Sequence, residues 1–331
     1  MNEFLLDWLV CPTCRCNLDW EIGERNGNEI LAAVARCPQC DQQYPVREGI
    51  GVFLTSQLER NDLWKQADSE LKRYLDMHPQ IRRGLLETDL ANLNPADQFY
   101  RHMILEEEGL YEEAQEAEST ALRGMYTDEY WQAWQAQLAY VVNACLQKSE
   151  VIVDLACGRG YLLQELLRCG NPIVATDFSV RVLHKDKKRL EYSGMAEGIN
   201  FLAVDARRTP FRDGVINLLT TNIGLPNIEQ SGDLLAELRR ICAGDFYAIH
   251  HFFPAEDVTH RHLFREMGNE VVHYEESLLK EFRKTNWKVN LENSIFGLAR
   301  PTPRSVLLHG AEIDRIPLAD VTLKWCTLHA C

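Results

Sequence analysis

Four short apolar segments in the second half of the chain, each ending in a polar residue, constrain the fold more than any other feature of the sequence. Stretches of helix-forming residues separate them, and this alternation predicts a doubly wound, mostly parallel α/β sheet. Ligands of such sheets bind beyond the carboxyl ends of the strands. The segments are residues 151–154, 172–177, 199–205 and 215–222, so Asp154, Asp177, Asp205 and Asn222 are predicted to lie at one ligand-binding edge.

A turn containing two glycines follows the first of these strands, in the sequence Asp154-Leu-Ala-Cys-Gly-Arg-Gly160. Gly158 and Gly160 allow the backbone to turn sharply and to approach a ligand closely. A nicotinamide-binding turn would have the pattern G-x-G-x-x-G, and Leu163 stands where its third glycine would be. A nicotinamide oxidoreductase is therefore disfavoured, although it stays an alternative.

The motif D-L-A-C-G-R-G, combined with aspartates at the next two strand ends, resembles the class I S-adenosylmethionine-dependent methyltransferases. The resemblance covers roughly the C-terminal half of the chain, and Ala156 stands where that family usually has glycine. It implies a Rossmann-like, mostly parallel sheet of seven strands and S-adenosylmethionine as the cofactor. Carried over residue by residue, it implies that Asp154 lies near the cofactor's ammonium group and that Ala156 to Gly160 lie against its methionine part. It also implies that Asp177 accepts from both ribose hydroxyls and that Asp205 and the backbone of Ala206 contact adenine. Asn222 stands at the next strand end. Phe178 packs either on the cofactor or in the core.

The methyl acceptor is harder to predict, because displacement at an activated sulfonium depends on alignment and needs no nucleophilic residue of the protein. Residues 246–253 predict a fifth strand ending in His250 and His251, whose side chains face opposite ways. His251 is our candidate for a general base, and a purely structural role is the alternative for either histidine.

Three hypotheses for the function follow from these motifs. We favour an active methyltransferase, and the net charge of −14 favours a small-molecule acceptor because surfaces that track nucleic acid are usually basic. RNA is the alternative acceptor, since ribosomal RNA guanine-N1 methyltransferases resemble this chain in joining an N-terminal zinc module to the same fold. The other two hypotheses are a scaffold protein that binds the cofactor without turnover and the nicotinamide oxidoreductase.

Two C-x-x-C pairs near the N-terminus, separated by 22 residues, indicate a metal site. Each pair presents two thiolates from a tight turn, and two pairs complete the tetrahedral S4 site that structural Zn²⁺ prefers, with iron as the alternative. The predicted ligands are Cys11, Cys14, Cys37 and Cys40. Cys16 follows the first pair at the less usual C-x-C spacing and is not included.

The segment from Leu5 to Leu54, with Y-P-V-R-E-G-I after the second pair, resembles the short zinc-ribbon proteins that bind and activate tRNA and protein methyltransferases. The resemblance implies a structural or docking role for the metal, and with it a protein partner as one option. We expect a small core of its own around the metal. Because the sequence shows no link between ribbon and cofactor site, loss of a metal ligand is expected to lower stability more than cofactor affinity.

These motifs divide the chain into a zinc-ribbon domain (residues 1–56), a helical connector or cap (residues 57–145) and a class I methyltransferase domain (residues 146–331). In the connector, the acidic stretch from Glu106 to Glu118 is interpreted as a solvated helix face.

An aromatic stripe near the end of the connector, formed by Tyr126, Tyr130 and Trp134, is predicted to pack in the core, with a lid over cofactor or substrate as the alternative. Glu3 and Asp7 stand where a secretory signal would be positively charged, and no apolar run approaches the roughly 20 residues that span a bilayer. We therefore expect a cytoplasmic protein without a membrane partner.

Overall fold

A single mixed sheet with helices on both faces organises the protein, whose structure is a computed structural model that describes residues 1–58 and 62–331. The strands are β1 (Asp19–Asn26), β2 (Glu29–Arg36), β3 (Gln43–Arg47), β4 (Ile50–Phe53), β5 (Ile152–Asp154), β6 (Ile173–Asp177), β7 (Ile199–Val204), β8 (Ile216–Asn222), β9 (Cys242–Phe252), β10 (Val289–Ala299) and β11 (Val321–Ala330). The helices are α1 (Leu5–Trp8), α2 (Leu63–Met77), α3 (Pro79–Glu87), α4 (Pro95–Glu107), α5 (Tyr111–Met125), α6 (Asp128–Leu146), α7 (Tyr161–Leu166), α8 (Val180–Tyr192), α9 (Ser231–Ile241), α10 (Val258–Glu266), α11 (Glu270–His273) and α12 (Glu275–Lys284).

The strand order is β1-β2-β3-β4-β7-β6-β5-β8-β9-β11-β10. Strands β4 to β9 in this order pair in parallel, whereas β1 to β4 and β9, β11 and β10 pair antiparallel. The α/β fold and the four predicted strands are confirmed, with ends that differ by no more than one residue. The chain order reverses on either side of β5, where a doubly wound sheet forms its ligand-binding crevice.

The sheet has eleven strands, whereas the sequence predicted seven. Residues 152–330 contribute seven of them, and the N-terminal segment adds the other four because β4 pairs in parallel with β7. In this pairing of β4 with β7, Ile50 lies opposite Phe201 and Phe53 lies opposite Val204. The ribbon segment therefore extends the central sheet, and the predicted boundary at residue 56 does not separate two sheets.

Alternate residues of the central strands enter two hydrophobic cores, one on each face of the sheet. Ile152 packs in the core that contains residues of α6, α7 and α8, whereas Val153 packs in the core that contains residues of α9 and α12. Leu5 and Phe53 of the ribbon segment belong to this second core. The small separate core that we expected around the metal is thus absent from the described residues, because the apolar side chains of the ribbon are shared with the central sheet.

The connector is helical from α2 to α6, as predicted. Most of its acidic stretch is a solvated face, as predicted, since the glutamates between its two ends are exposed. The two end residues are the exceptions, because Glu106 is only 5% exposed and the Glu118 side chain 12%. Glu106 pairs with Arg159 of the turn after β5 and with Arg189 of α8, and Glu118 pairs with the same Arg159. Among the residues that the structure describes, no helix combines the length and the apolar character needed to cross a membrane.

Candidate functional site

The turn after β5 is held between the ends of two neighbouring strands. The amide of Leu155 donates to the Thr220 carbonyl in β8 (2.8 Å), and the amide of Cys157 donates to the Thr176 carbonyl in β6 (2.9 Å). Between them Ala156 has a φ of 51°, a left-handed conformation that costs a residue with a Cβ about 1–2 kcal/mol. The position therefore favours the glycine of the family motif, although this chain has alanine.

The two glycines of the turn serve different contacts. Gly158 has a φ of 53° and its amide faces the end of β6. Gly160 has a φ of 72°, and a Cβ there would lie 3.1 Å from Nη2 of Arg189 in α8. Gly160 is thus favoured both by its left-handed backbone and by the close approach of side chains from α8, a packing reason that the motif alone does not reveal.

Asp177 connects the end of β6 to this turn. Its Oδ2 accepts from the Gly158 amide at 3.0 Å, and its Oδ1 accepts from the Ser179 amide at 2.8 Å. Burial raises the pKa of the Asp177 carboxyl above its ordinary value. A carboxylate can accept about four hydrogen bonds, so Asp177 keeps capacity for a further donor beside the amides of Gly158, Ser179 and Phe178. Phe178, the next residue, is partly exposed beside this carboxylate.

Asp154 lies beneath the turn and is fully buried. Its Oδ1 accepts from the Thr220 hydroxyl at 3.0 Å, whereas Oδ2 has no hydrogen-bond partner among residues 1–58 and 62–331. Burial raises the pKa of Asp154 to about 7, and the nearby Asp177 carboxylate adds to the rise. A buried acceptor without a donor is costly, so this oxygen fits a positively charged ligand group.

Asp205 follows β7 and begins a tight turn in which the Arg208 amide donates to the Asp205 carbonyl at 2.9 Å. Arg207 wraps back onto the carboxylate, with Nε 3.0 Å from Oδ1 and Nη2 2.9 Å from Oδ2. Ala206 is buried against the core on the α9 side. The sequence did not predict the pairing of Asp205 with Arg207, which a ligand group would share or displace.

Asn222 and the two histidines lie at the ends of β8 and β9. Oδ1 of Asn222 accepts from Nε1 of Trp134 in α6 at 3.1 Å. Nε2 of His250 lies 2.8 Å from the Val272 carbonyl, on the opposite side of β9 from His251, as strand alternation predicts. Burial lowers the pKa of His250 to about 4, and its ring nitrogen contacts the backbone of Val272, as expected for the structural alternative.

His251 is surrounded by aromatic rings. Its ring centroid lies 4.9 Å from that of Trp325 and 6.5 Å from that of Tyr130. Burial, together with the neighbouring His250 and His273, lowers the pKa of His251 well below its ordinary value, so the ring is neutral at pH 7. Within the described part of the chain, Nδ1 of His251 and Nε1 of Trp325 have no hydrogen-bond partner.

The connector contacts the glycine turn through Arg159, which lies between Gly158 and Gly160. The Nε atom of Arg159 is 3.2 Å from Oε1 of Glu118, and its Nη2 is 3.9 Å from Oε2 of Glu106. The guanidinium also stacks over Phe99, 5.0 Å from the ring centroid. Sequence reasoning missed this residue, because the motif treats its position as variable and the partners are about 40 or more residues away.

The four predicted metal ligands converge at the edge of the sheet, with all four Sγ atoms within 4.8 Å of one another. The distances are 3.5 Å for Cys11 to Cys40, 3.3 Å for Cys14 to Cys37 and 3.7 Å for Cys14 to Cys40. Zn–S bonds of about 2.3 Å in a tetrahedron require S–S distances of about 3.8 Å, so the donor set fits Zn²⁺. Cys16 is not part of the cluster, and its Sγ contacts the Cys14 carbonyl instead.

Both cysteine pairs have the same backbone geometry. The amide of Arg15 donates to the Cys11 carbonyl and that of Asp41 to the Cys37 carbonyl, and both donors have positive φ angles, 63° and 55°. The structure thus places a first group of predicted residues, Asp154, Asp177, Asp205 and Asn222, at four strand ends and joins Asp177 to the turn, and it separately gathers the four cysteines. Thr220, Trp134 and Arg207 join the first group without having been predicted.

The part of the chain that contains the glycine turn resembles a known domain. Residues 152–245 match the family model described as a methyltransferase domain. The chain is 33% identical over 101 residues to the ubiquinone/menaquinone biosynthesis C-methyltransferase UbiE of Acidiphilium cryptum, a match that covers 30% of this chain and 41% of that protein. It is 32% identical over 114 residues to the demethylmenaquinone methyltransferase of Thermobifida fusca, covering 34% of this chain and 46% of that one.

The chain thus spans less than half the length of these two relatives. Among solved structures, the YcgJ protein of Bacillus subtilis shares 13% identity with a TM-score of 0.47, over 59% of this chain and 97% of that chain. The match to a methyltransferase domain in residues 152–245 includes the glycine turn and the four strand ends that the sequence motif singled out.

Proposed function

We propose, starting from the methyltransferase domain in residues 152–245, that this protein transfers a methyl group from S-adenosylmethionine to a small organic molecule. The observation that carries the proposal is the bond between the Asp177 carboxylate and the Gly158 amide, which joins the end of β6 to the glycine turn. One ligand that spans both elements would contact a carboxylate suited to two hydroxyls and a backbone that approaches closely.

The residues present fit this cofactor. We propose that the unpartnered Oδ2 of Asp154 holds the ammonium group, that residues 156–160 contact the methionine part and that Asp177 accepts from the ribose hydroxyls. Asp205, the backbone of Ala206 and Phe178 would surround the adenine, and Asn222 would close the site beside Trp134. When bound, the cofactor supplies an activated methyl group on a sulfonium, and the protein's part is to align the acceptor and exclude water.

A small organic acceptor is supported by the surroundings of His251. Trp325, Tyr130 and Phe253 present aromatic rings to it, and Tyr126 stacks on Tyr130 with 4.6 Å between centroids. The indole Nε1–H of Trp325 is a donor without a partner in the described residues, and the neutral His251 ring can accept a hydrogen bond, although its lowered pKa makes it a weak general base. Such surroundings suit a planar molecule with a polar substituent.

Charge supports the same choice over RNA. The basic residues that α8 presents to the connector are used within the chain, since Arg181 and Lys185 pair with Asp68, and Arg189 pairs with Glu106. With a net charge of −14, the protein has no surplus of positive charge for a phosphate backbone. Of the two relatives named above, one is a ubiquinone/menaquinone biosynthesis C-methyltransferase and the other a demethylmenaquinone methyltransferase, which makes small cyclic organic molecules the first class of acceptor to test.

We expect purified protein to bind S-adenosylhomocysteine, and we expect Asp177→Ala to weaken that binding at least about tenfold, because charge-assisted bonds contribute roughly 1.5–3 kcal/mol each. Asp205→Ala should weaken it less, since backbone and stacking contacts to adenine remain. Isothermal titration calorimetry measures both affinities. Asp213→Ala, which removes an exposed carboxylate that pairs with Arg240, is the matched control and should leave affinity unchanged.

Native circular dichroism is required of each variant, because Asp177 also holds the Gly158 amide. Unchanged affinity in folded Asp177→Ala protein would overturn the proposed cofactor site. Stabilisation by NAD instead of S-adenosylmethionine in thermal melts would favour the oxidoreductase. Label transfer from methyl-labelled S-adenosylmethionine to small-molecule or RNA fractions of an extract then identifies the acceptor class, and binding without any transfer would indicate a scaffold.

The protonation of Asp154 should make cofactor affinity depend on pH. Its folded-state pKa is raised to about 7, so the carboxylate is ionised above that pH and neutral below it. Its attraction for the ligand's ammonium is therefore lost as the pH falls from about 8 to about 6, by at most about tenfold per unit. Titrations with S-adenosylhomocysteine across this range should show the loss, and Asp154→Asn should abolish the slope.

Asp186 offers a matched control for this pH dependence. Burial also raises the pKa of Asp186 to about 7, but this carboxylate pairs with Arg189 on the α8 side of the turn. Asp186→Asn should therefore keep the slope. The assignment of Asp154 fails if its asparagine variant retains the same dependence as the parent protein.

A further inference from the structure

The metal-binding cysteine pair Cys11–Cys14 is joined directly to the turn that follows β7. Arg208, the last residue of that turn, donates from Nε to the Pro12 carbonyl at 2.8 Å and from Nη2 to the Thr13 carbonyl at 2.6 Å. Pro12 and Thr13 are the two residues between the cysteines. One guanidinium therefore holds the backbone of the first metal-binding turn, in a fork of parallel donors that fixes orientation as well as distance.

The other end of this connection is Asp205. The Arg208 amide donates to the Asp205 carbonyl, so the side chain that grips the cysteine pair and the proposed adenine-binding carboxylate belong to one tight turn. Further hydrogen bonds hold the segment after this turn against the ribbon and against α9. The Val10 amide donates to the Pro210 carbonyl at 2.7 Å, and Glu237 accepts from both the amide and the hydroxyl of Thr209 at 2.8 Å.

We propose that Arg208 is a positioning residue that couples the four-cysteine metal site to the adenine end of the cofactor site. A metal ion bound by Cys11 and Cys14 would hold the Pro12 and Thr13 carbonyls in place, and through Arg208 would hold the turn that presents Asp205 and Ala206. Metal occupancy then raises cofactor affinity. Because coupling between two binding sites is reciprocal, cofactor binding raises metal affinity by the same factor. This inference rests on the proposed cofactor site.

The test compares Arg208→Met with Arg212→Met. Both substitutions keep an aliphatic stem and remove a guanidinium that donates to a ribbon backbone carbonyl, but Arg212 donates to Asp7, outside the cysteine pair. In metal-loaded protein, Arg208→Met should weaken binding of S-adenosylhomocysteine by about fivefold or more, the lower end of usual coupling strengths. Arg212→Met should change it by less than about twofold.

Chelation of the metal completes the comparison. In the parent protein and in Arg212→Met, chelation should weaken S-adenosylhomocysteine binding by a similar factor of about five or more, whereas in Arg208→Met it should add little, because the connection is already broken. Metal content and the melting curve are recorded for every sample. If Arg208→Met does not fold, Arg208→Lys, which keeps the charge but reaches one carbonyl at a time, should still weaken binding measurably.

Equal affinities in folded, metal-loaded parent protein and Arg208 variants would overturn the coupling. That outcome would not contradict the proposed cofactor site, provided that parent protein binds S-adenosylhomocysteine and Asp177→Ala binds it more weakly. If parent protein does not bind S-adenosylhomocysteine at all, the proposed function and the coupling fail together.

Discussion

Arg159→Met should lower the free energy of unfolding by about 3–5 kcal/mol, the usual effect of removing one partner from a buried ion-paired group. The Arg159 side chain is 9% exposed and faces Glu118 and Glu106, which are also buried. Despite burial, Arg159 helps to hold the pKa of Glu118 down at about 2, so both carboxylates are ionised in the native protein. Without the guanidinium they become buried charges with too few partners.

Urea denaturation at about pH 7 measures this loss, and Arg168→Met is the matched control. Arg168 pairs with Glu165 on the surface with 69% of its side chain exposed, so its loss should cost less than about 1 kcal/mol. The loss of unfolding free energy in Arg159→Met should become smaller towards about pH 4, because the carboxylates that have lost their arginine partner can take up protons there. It should also shrink in the double variant Arg159→Met/Glu118→Gln, and equal stability of Arg159→Met and Arg168→Met would contradict the buried pairing.

Purified protein should carry about one zinc per chain, and Cys37→Ser should lower the free energy of unfolding by more than about 5 kcal/mol, because the energy of metal binding contributes directly to folding. The effect should reach the central sheet, since β4 is paired with β7 and Phe53 shares a core with Leu202. Metal analysis measures the zinc content, and thermal melting measures the loss of stability.

Cys16→Ser is the matched control for the metal site, because Cys16 lies beside the first pair but outside the cluster. It should keep the metal and most of the stability. Protein prepared without chelators that holds no metal, or overlapping melting curves for Cys37→Ser and Cys16→Ser, would refute the assignment of the four ligands. If Arg208 couples the sites as proposed, Cys37→Ser also weakens cofactor binding, whereas the sequence shows no link between the ribbon and the cofactor site.

The sequence by itself determined the features that depend on local order. Strands β5 to β8 are apolar runs with a polar residue at the end, and parallel pairing then aligns those ends at one edge, so Asp154, Asp177 and Asp205 could be placed from their positions alone. The cysteine pairs were predictable for the same reason. Each is a four-residue turn, and convergence of two such turns on one ion is the chemistry that thiolates most readily support.

Only the tertiary structure decided what lies against these local features. Glu106 is buried because Arg159 and α8 pack against it. Trp134 meets Asn222 because α6 packs over the sheet. Arg208 contacts Pro12 although the two residues are 196 positions apart in the chain. From sequence alone a charged residue is predicted to be solvated, because a hydropathy pattern contains no information on which distant residue will pack against it. For the same reason the ribbon appeared separate in sequence, whereas the pairing of β4 with β7 makes it the edge of the central sheet.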